Sequence, residues 1–100
     1  MSYTYALLET AQMEYEDSII WYQQRSPQAA ENFMLAVEKT LQTICNNPYR
    51  WRNEYKNYHE LVVKKYPHSI VYMIEPENER VLVTAIYHGK RSPKGKYKKL

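Results

Sequence analysis

The sequence predicts an α+β domain. An N-terminal strand and an antiparallel two-helix hairpin should pack on one face of a small antiparallel β-sheet, in the order βααβββ. Three observations predict it. Residues 58–93 hold three short runs rich in β-branched and aromatic residues, joined by two turn signals, which is the pattern of an antiparallel meander. Residues 9–46 instead carry apolar side chains at helical spacing, interrupted at Ser26-Pro27 and stopped at Asn46-Asn47-Pro48. The length, 100 residues, suits one domain over residues 1–100 with one modest core.

Taken in chain order, Tyr3 to Leu8 contains the short apolar run Tyr5-Ala6-Leu7-Leu8, which suits an edge strand. From Glu9 the pattern becomes helical. Ala11, Tyr15, Ile19 and Tyr22 fall near one face, with Glu14, Asp17 and Ser18 assigned to the other, so the first helix is expected over residues 9–24. Ser26 reads as an N-cap and Pro27 as a first helical residue. The second helix, over residues 27–46, directs Ala30, Phe33, Val37, Leu41 and Ile44 to the core. A connection this short makes the two helices antiparallel neighbours.

The loop over residues 48–57 mixes Arg50, Arg52 and Lys56 with Trp51 and Tyr55. That mixture suits phosphate contact and base stacking, and it equally suits a connection that packs Trp51 on the sheet edge. For Trp51 burial is the preferred reading, while the arginines stay open to either.

Three strands are expected at residues 60–66, 69–74 and 81–87. Leu61 and Val63 share one face with Val62 opposite, and Ile70, Tyr72 and Ile74 share a face. Glu75-Pro76-Glu77-Asn78 forms the turn between the last two strands. Strict alternation sets Val81, Val83, Ala85 and Tyr87 against Leu82, Thr84 and Ile86. Both sheet faces are then partly apolar. The helices can cover one of them, and the other must pack elsewhere or bind a partner.

Composition narrows the function classes. With 44% apolar and 25% charged residues the chain is globular. Two glycines exclude a Gly-rich phosphate loop. A lone cysteine, Cys45, excludes an internal disulfide and a cysteine-based zinc cluster, and reads as a small buried hydrophobe. His59 and His68 lack ligand-spaced companions and read as surface or strand residues, so neither a metal nor another cofactor is expected. No run approaches the ~20 apolar residues of a membrane span, and the N-terminus lacks the marks of a signal peptide. No membrane association and a cytoplasmic location are therefore expected.

Charge is unevenly placed. All eleven acidic residues lie at or before Glu79, whereas Lys90, Arg91, Lys94, Lys96, Lys98 and Lys99 supply six of the fourteen Lys and Arg residues. Residues 90–100 thus form a basic C-terminal tail, which suits an anionic partner or is simply a solvated terminus. The candidate target-binding residues are Lys90, Arg91, Lys94 and Lys96, together with Arg50 and Arg52.

Several motifs point to one family. They are Trp21-Tyr22, Phe33 with Leu41, Asn47-Pro48, and Tyr66-Pro67-His68-Ser69-Ile70-Val71-Tyr72. The most specific is Ala85-Ile86-Tyr87-His88-Gly89-Lys90-Arg91, followed by Ser92-Pro93. On these residues nearly the whole chain resembles the RelE/ParE superfamily of bacterial type II toxins. The resemblance implies a growth-inhibiting toxin that a cognate antitoxin protein neutralises in a hetero-oligomer. RelE-like members cut messenger RNA on the ribosome with a cluster of cations, and ParE-like members poison DNA gyrase without being nucleases.

The RelE pattern places two lysines on the first meander strand and an arginine at the start of the next. Here those positions fall on Glu60, Val62 and Ser69, and only Arg91 and Tyr97 match. A nuclease would rest on Arg91 and Tyr97, with His88 as a further catalytic candidate. The His88-Gly89-x-Arg91 arrangement looks more like the ParE-like exit. The reading favoured here is a non-enzymatic, plasmid-stabilisation-type toxin acting on DNA gyrase. The alternatives are a ribosome-dependent mRNA endonuclease and an inactive relative kept for antitoxin binding.

Overall fold

Ser26 and Pro27 divide the first half of the chain as their chemistry dictates. In the computed structural model, which describes residues 2–51 and 53–89, the Ser26 hydroxyl accepts a hydrogen bond from the Ala29 N–H at 3.0 Å. Pro27, which has no N–H to lose, opens the helix behind it. The helices are α1 (Glu9–Gln23) and α2 (Pro27–Asn46), and the strand before them is β1 (Thr4–Leu7). After a short 3-10 turn at Pro48–Arg50 the chain forms β2 (Asn53–Tyr55), β3 (Tyr58–Val62), β4 (His68–Glu75) and β5 (Arg80–His88).

The sheet order is β1-β5-β4-β3-β2. The meander β3-β4-β5 is antiparallel as expected, with His59 opposite Tyr72 and Ile70 opposite Ile86. Two features differ from expectation. β1 joins β5 in parallel, with Thr4 opposite Arg80 and Leu7 opposite Val83, so the sheet is mixed. The short β2 adds an unexpected fifth strand, paired with β3 only around Tyr58 and His59. The first meander strand also begins and ends earlier than expected. Tyr66 donates its N–H to the Val63 carbonyl at 3.0 Å, and Lys65 takes a left-handed backbone with φ 72°, so residues 64–67 turn rather than extend.

Strict alternation fails along β5, for a local reason. Val71 pairs with Ala85, but Tyr72 pairs with Val83, leaving Thr84 as the extra residue of a β-bulge. The Thr84 hydroxyl donates to the Val71 carbonyl at 3.3 Å and fills the gap. The bulge inverts the parity of everything after it. Val81, Val83 and Ile86 therefore join the helix-facing core with Phe33, Val37, Leu41, Ile44, Ile70 and Tyr72. Ala85 and Tyr87, expected on the same face as Val83, lie on the other one with Val71.

The bulge also explains a buried acid. Beyond Leu8, β1 no longer borders β5, and the Ile86 N–H would lack an acceptor on that side. Glu14, only 9% exposed, accepts it at 2.9 Å. Glu14 and Ser18 thus sit on the sheet-facing side of α1, not the solvent side that periodicity assigned them.

The loop after α2 is fixed from the sheet. The Tyr72 hydroxyl donates to the Pro48 carbonyl at 2.6 Å, and burial pushes this phenol well above its usual range. His59 stacks on the Tyr72 ring, at 5.2 Å between centroids, and its Nδ1–H donates to the Trp51 carbonyl at 2.8 Å. Trp51 packs against the core, as its preferred reading held. Cys45 is buried, and burial raises its thiol pKa, which leaves it a packing residue rather than a nucleophile.

Candidate functional site

The sheet face turned away from the helices follows from the period of the strands. On β3 the residues between His59, Leu61 and Val63 are Tyr58, Glu60 and Val62, and these face Val71 and Ser69 of β4. Tyr58 packs against the small cluster of Val71, Ala85 and Tyr87. At its centre the Tyr87 hydroxyl donates to Glu60 Oε2 at 2.7 Å, a short bond to a carboxylate. The resemblance placed a phosphate-holding lysine at Glu60, and the face instead presents an anion held by a phenol. Ser69, where it placed an arginine, is buried and uncharged.

A second constellation lies on the helix side, where β5 leaves the sheet. His68 and His88 are register partners with ring centroids 5.3 Å apart. His68 is 3% exposed, so it is a core residue rather than a surface one. It packs between Phe33, at 4.8 Å, and Tyr22, at 6.2 Å, and its Nε2 bonds Ser18 Oγ at 3.2 Å. Asp17, Trp21 and Pro67 complete a cavity of about 320 Å³ around the two imidazoles. The Gly89 N–H bonds the Pro67 carbonyl, and a Cβ on Gly89 would stand 3.0 Å from that oxygen, so the close approach requires glycine.

The candidate residues scatter. His88 is half-buried in the cavity just described. Arg50 is exposed and lies over the Trp51 ring at 4.8 Å, near the β2 edge. The Trp51 carbonyl is tied to His59, in the row of Tyr72 and Val83, whereas His88 belongs to the row of His68. The fold therefore sets Arg50, in the 3-10 turn before β2, and His88, at the end of β5, beside different rows of the meander. Arg52, Lys90, Arg91, Lys94, Lys96 and Tyr97 lie outside the described residues. Ser18, His68 and the Glu60–Tyr87 pair did not stand out as interacting groups in the sequence. The Tyr66-Pro67-His68 motif was the one signal touching this cavity. Among the described residues no group of three His, Cys, Asp or Glu side chains is placed to hold a metal ion. No helix there is long and apolar enough to cross a membrane.

A strand, a helical hairpin over one face and a bulged meander ending in a His-Gly exit make up this α+β domain. Residues 5–93 match the model of the ParE toxin of the type II toxin–antitoxin system parDE, and the chain belongs to that family. Solved structures share the fold at low identity. One is the chromosomal ParDE system of P. aeruginosa, with a TM-score of 0.73 and 10% identity over 87% of this chain and 96% of that one. The isolated E. coli RelE toxin aligns with a TM-score of 0.60 and 15% identity over 95% of this chain and 93% of that one. The RelBE2 complex of Mycobacterium tuberculosis gives 0.56 and 17% identity, over 88% and 92%. No curated protein matches the sequence.

Proposed function

We propose that this family member inhibits DNA gyrase and is neutralised by a cognate antitoxin, and that it is not a nuclease. The observation that carries this reading is the Tyr87–Glu60 bond on the open sheet face. The nuclease reading needs cations there to hold a phosphodiester and stabilise the charge that develops on cleavage. A carboxylate at that spot repels phosphate. The resemblance of the His88-Gly89-x-Arg91 exit to ParE-like members points the same way. The similar structures include a ParDE system and a RelBE complex, which supports an antitoxin partner. An antitoxin acidic where it meets the toxin would also neutralise the tail at residues 90–100. Such pairs act in the cytoplasm, where both gyrase and the ribosome reside.

Two assays on the purified chain test the reading: gyrase supercoiling, and mRNA cleavage on translating ribosomes. The expected result is lost supercoiling with intact mRNA. Cut mRNA, with cutting lost in Tyr97→Phe, would establish the nuclease instead, and inactivity in both would leave an inactive relative. If the basic tail docks on the target, Arg91→Ala and truncation after Pro93 abolish growth inhibition in a protein whose circular dichroism is unchanged. A folded, fully toxic protein ending at Pro93 would remove the tail from the mechanism.

A further inference from the structure

Four apolar residues run together near the end of α1, Ile19-Ile20-Trp21-Tyr22. Successive residues of a helix point about 100° apart, so one face cannot bury all four. Ile19 and Tyr22 pack against the core, which leaves Ile20 52% and Trp21 48% exposed. Trp21 is nonetheless held in place. Its ring meets that of Tyr22 edge-on at 4.8 Å, and the Arg25 guanidinium lies over it at 3.3 Å. A ring already fixed by its neighbours loses little freedom when a partner covers it. Trp21 and Tyr22 also wall the cavity of about 320 Å³ around the two imidazoles, with Asp17 and Pro67. His88, in the same cavity, is two residues from Lys90, so the chain passes from this cavity into the basic tail.

We propose that Ile20, Trp21 and Arg25, with the cavity beside them, form a docking surface for the protein that this toxin inhibits. The identity of that protein as DNA gyrase rests on the functional reading above; the surface rests on α1 and its neighbours. The partner offers an apolar side chain to the cavity and a carboxylate to Arg25, which its charge selects. An exposed Trp beside an Arg is the composition from which protein interfaces draw most of their affinity. Nucleic acid fits less well. A base would compete with Arg25 for the Trp21 ring, and the Asp17 carboxylate repels phosphate.

The test compares two exposed apolar positions, Ile20 on α1 and Leu35 on α2, which is 57% exposed. With p-benzoylphenylalanine at Ile20 the full chain should crosslink to purified DNA gyrase on irradiation, and with the same group at Leu35 it should not. Ile20→Glu and Trp21→Ala should each raise the concentration that inhibits supercoiling by at least about tenfold, and Leu35→Glu should leave it unchanged. Thermal melts by circular dichroism confirm that the variants are folded, and Ile20→Glu decides the matter if Trp21→Ala is not. Crosslinking from both positions or from neither, or full potency of Ile20→Glu, would overturn the proposal. So would crosslinking from Ile20 to duplex DNA alone, or to a second copy of the chain. If the wild-type chain arrests growth yet leaves supercoiling intact, the gyrase reading fails, and growth arrest by the same variants decides the surface. Arrest by folded Ile20→Glu equal to that of the wild type then overturns it, and loss of arrest upholds it. A wild-type chain that neither arrests growth nor inhibits supercoiling overturns both.

Discussion

Toward the helices, His59 and Leu61 of β3, and Val63 just after it, lie beside Tyr72, Ile70 and His68 of β4. The alternate residues Tyr58, Glu60 and Val62 lie on the other side of the same strand, where Tyr58 packs on Val71, Ala85 and Tyr87 and Glu60 bonds Tyr87. The first face is closed by Phe33, Val37, Leu41 and Ile44, whose side chains are almost wholly buried. Among the described residues no helix covers the second, and its central contact is a phenol bonded to a carboxylate. One strand thus serves two chemistries because its period is two. A large apolar area stabilises the first face, and a charge-assisted hydrogen bond helps order the middle of the second.

Substitutions should separate the faces by size of effect. Phe33 contacts Tyr15, Tyr22, Tyr66 and His68. Phe33→Ala should therefore cost about 3–5 kcal/mol in urea denaturation, and a loss below 1 kcal/mol would deny it a central place. Glu14→Ala strips the Ile86 N–H of its acceptor at the bulge, for about 1–3 kcal/mol. Glu14→Gln keeps an accepting oxygen there and should recover part of that loss, which a purely electrostatic role would not allow. On the open face, Tyr87→Phe removes the bond to Glu60 while keeping the ring. A loss of about 1–2 kcal/mol is expected, and a loss as large as that of Phe33→Ala would mean that both faces are packed alike.

The smallest effect has the opposite sign. Lys65 holds φ at 72°, a backbone that costs an L-residue free energy and glycine almost none. Lys65→Gly should stabilise the chain by about 0.5–1 kcal/mol, read as a raised melting temperature. Unchanged stability would show that the turn relaxes instead.

Much of this architecture was legible residue by residue. Ser26-Pro27 marked a helix start because the hydroxyl and the missing N–H act within one turn of chain. Asn47-Pro48 marked the stop for the same reason, and Phe33, Val37, Leu41 and Ile44 announced one buried face through their spacing. These are local effects, and sequence carries them directly. The bulge at Thr84 was not legible, since nothing in Val83-Thr84-Ala85 states which residue the neighbouring strand will skip. Missing it exchanged Ala85 with Ile86 between the faces. Missing it also left Glu14 on the wrong side of α1, because the N–H that this carboxylate caps is unpaired only once β1 has stopped short beside β5.

The candidate site divides in the same way. The His88-Gly89 exit and the departure from the nuclease pattern at Glu60 stand in the sequence, since they concern which residue occupies a position. That Tyr87 holds Glu60 and that Ser18 and His88 close on His68 concern which positions meet. Those meetings depend on strand register and on where each neighbouring strand ends. Both are settled by the packing of residues far apart in the chain, and so by the tertiary structure alone.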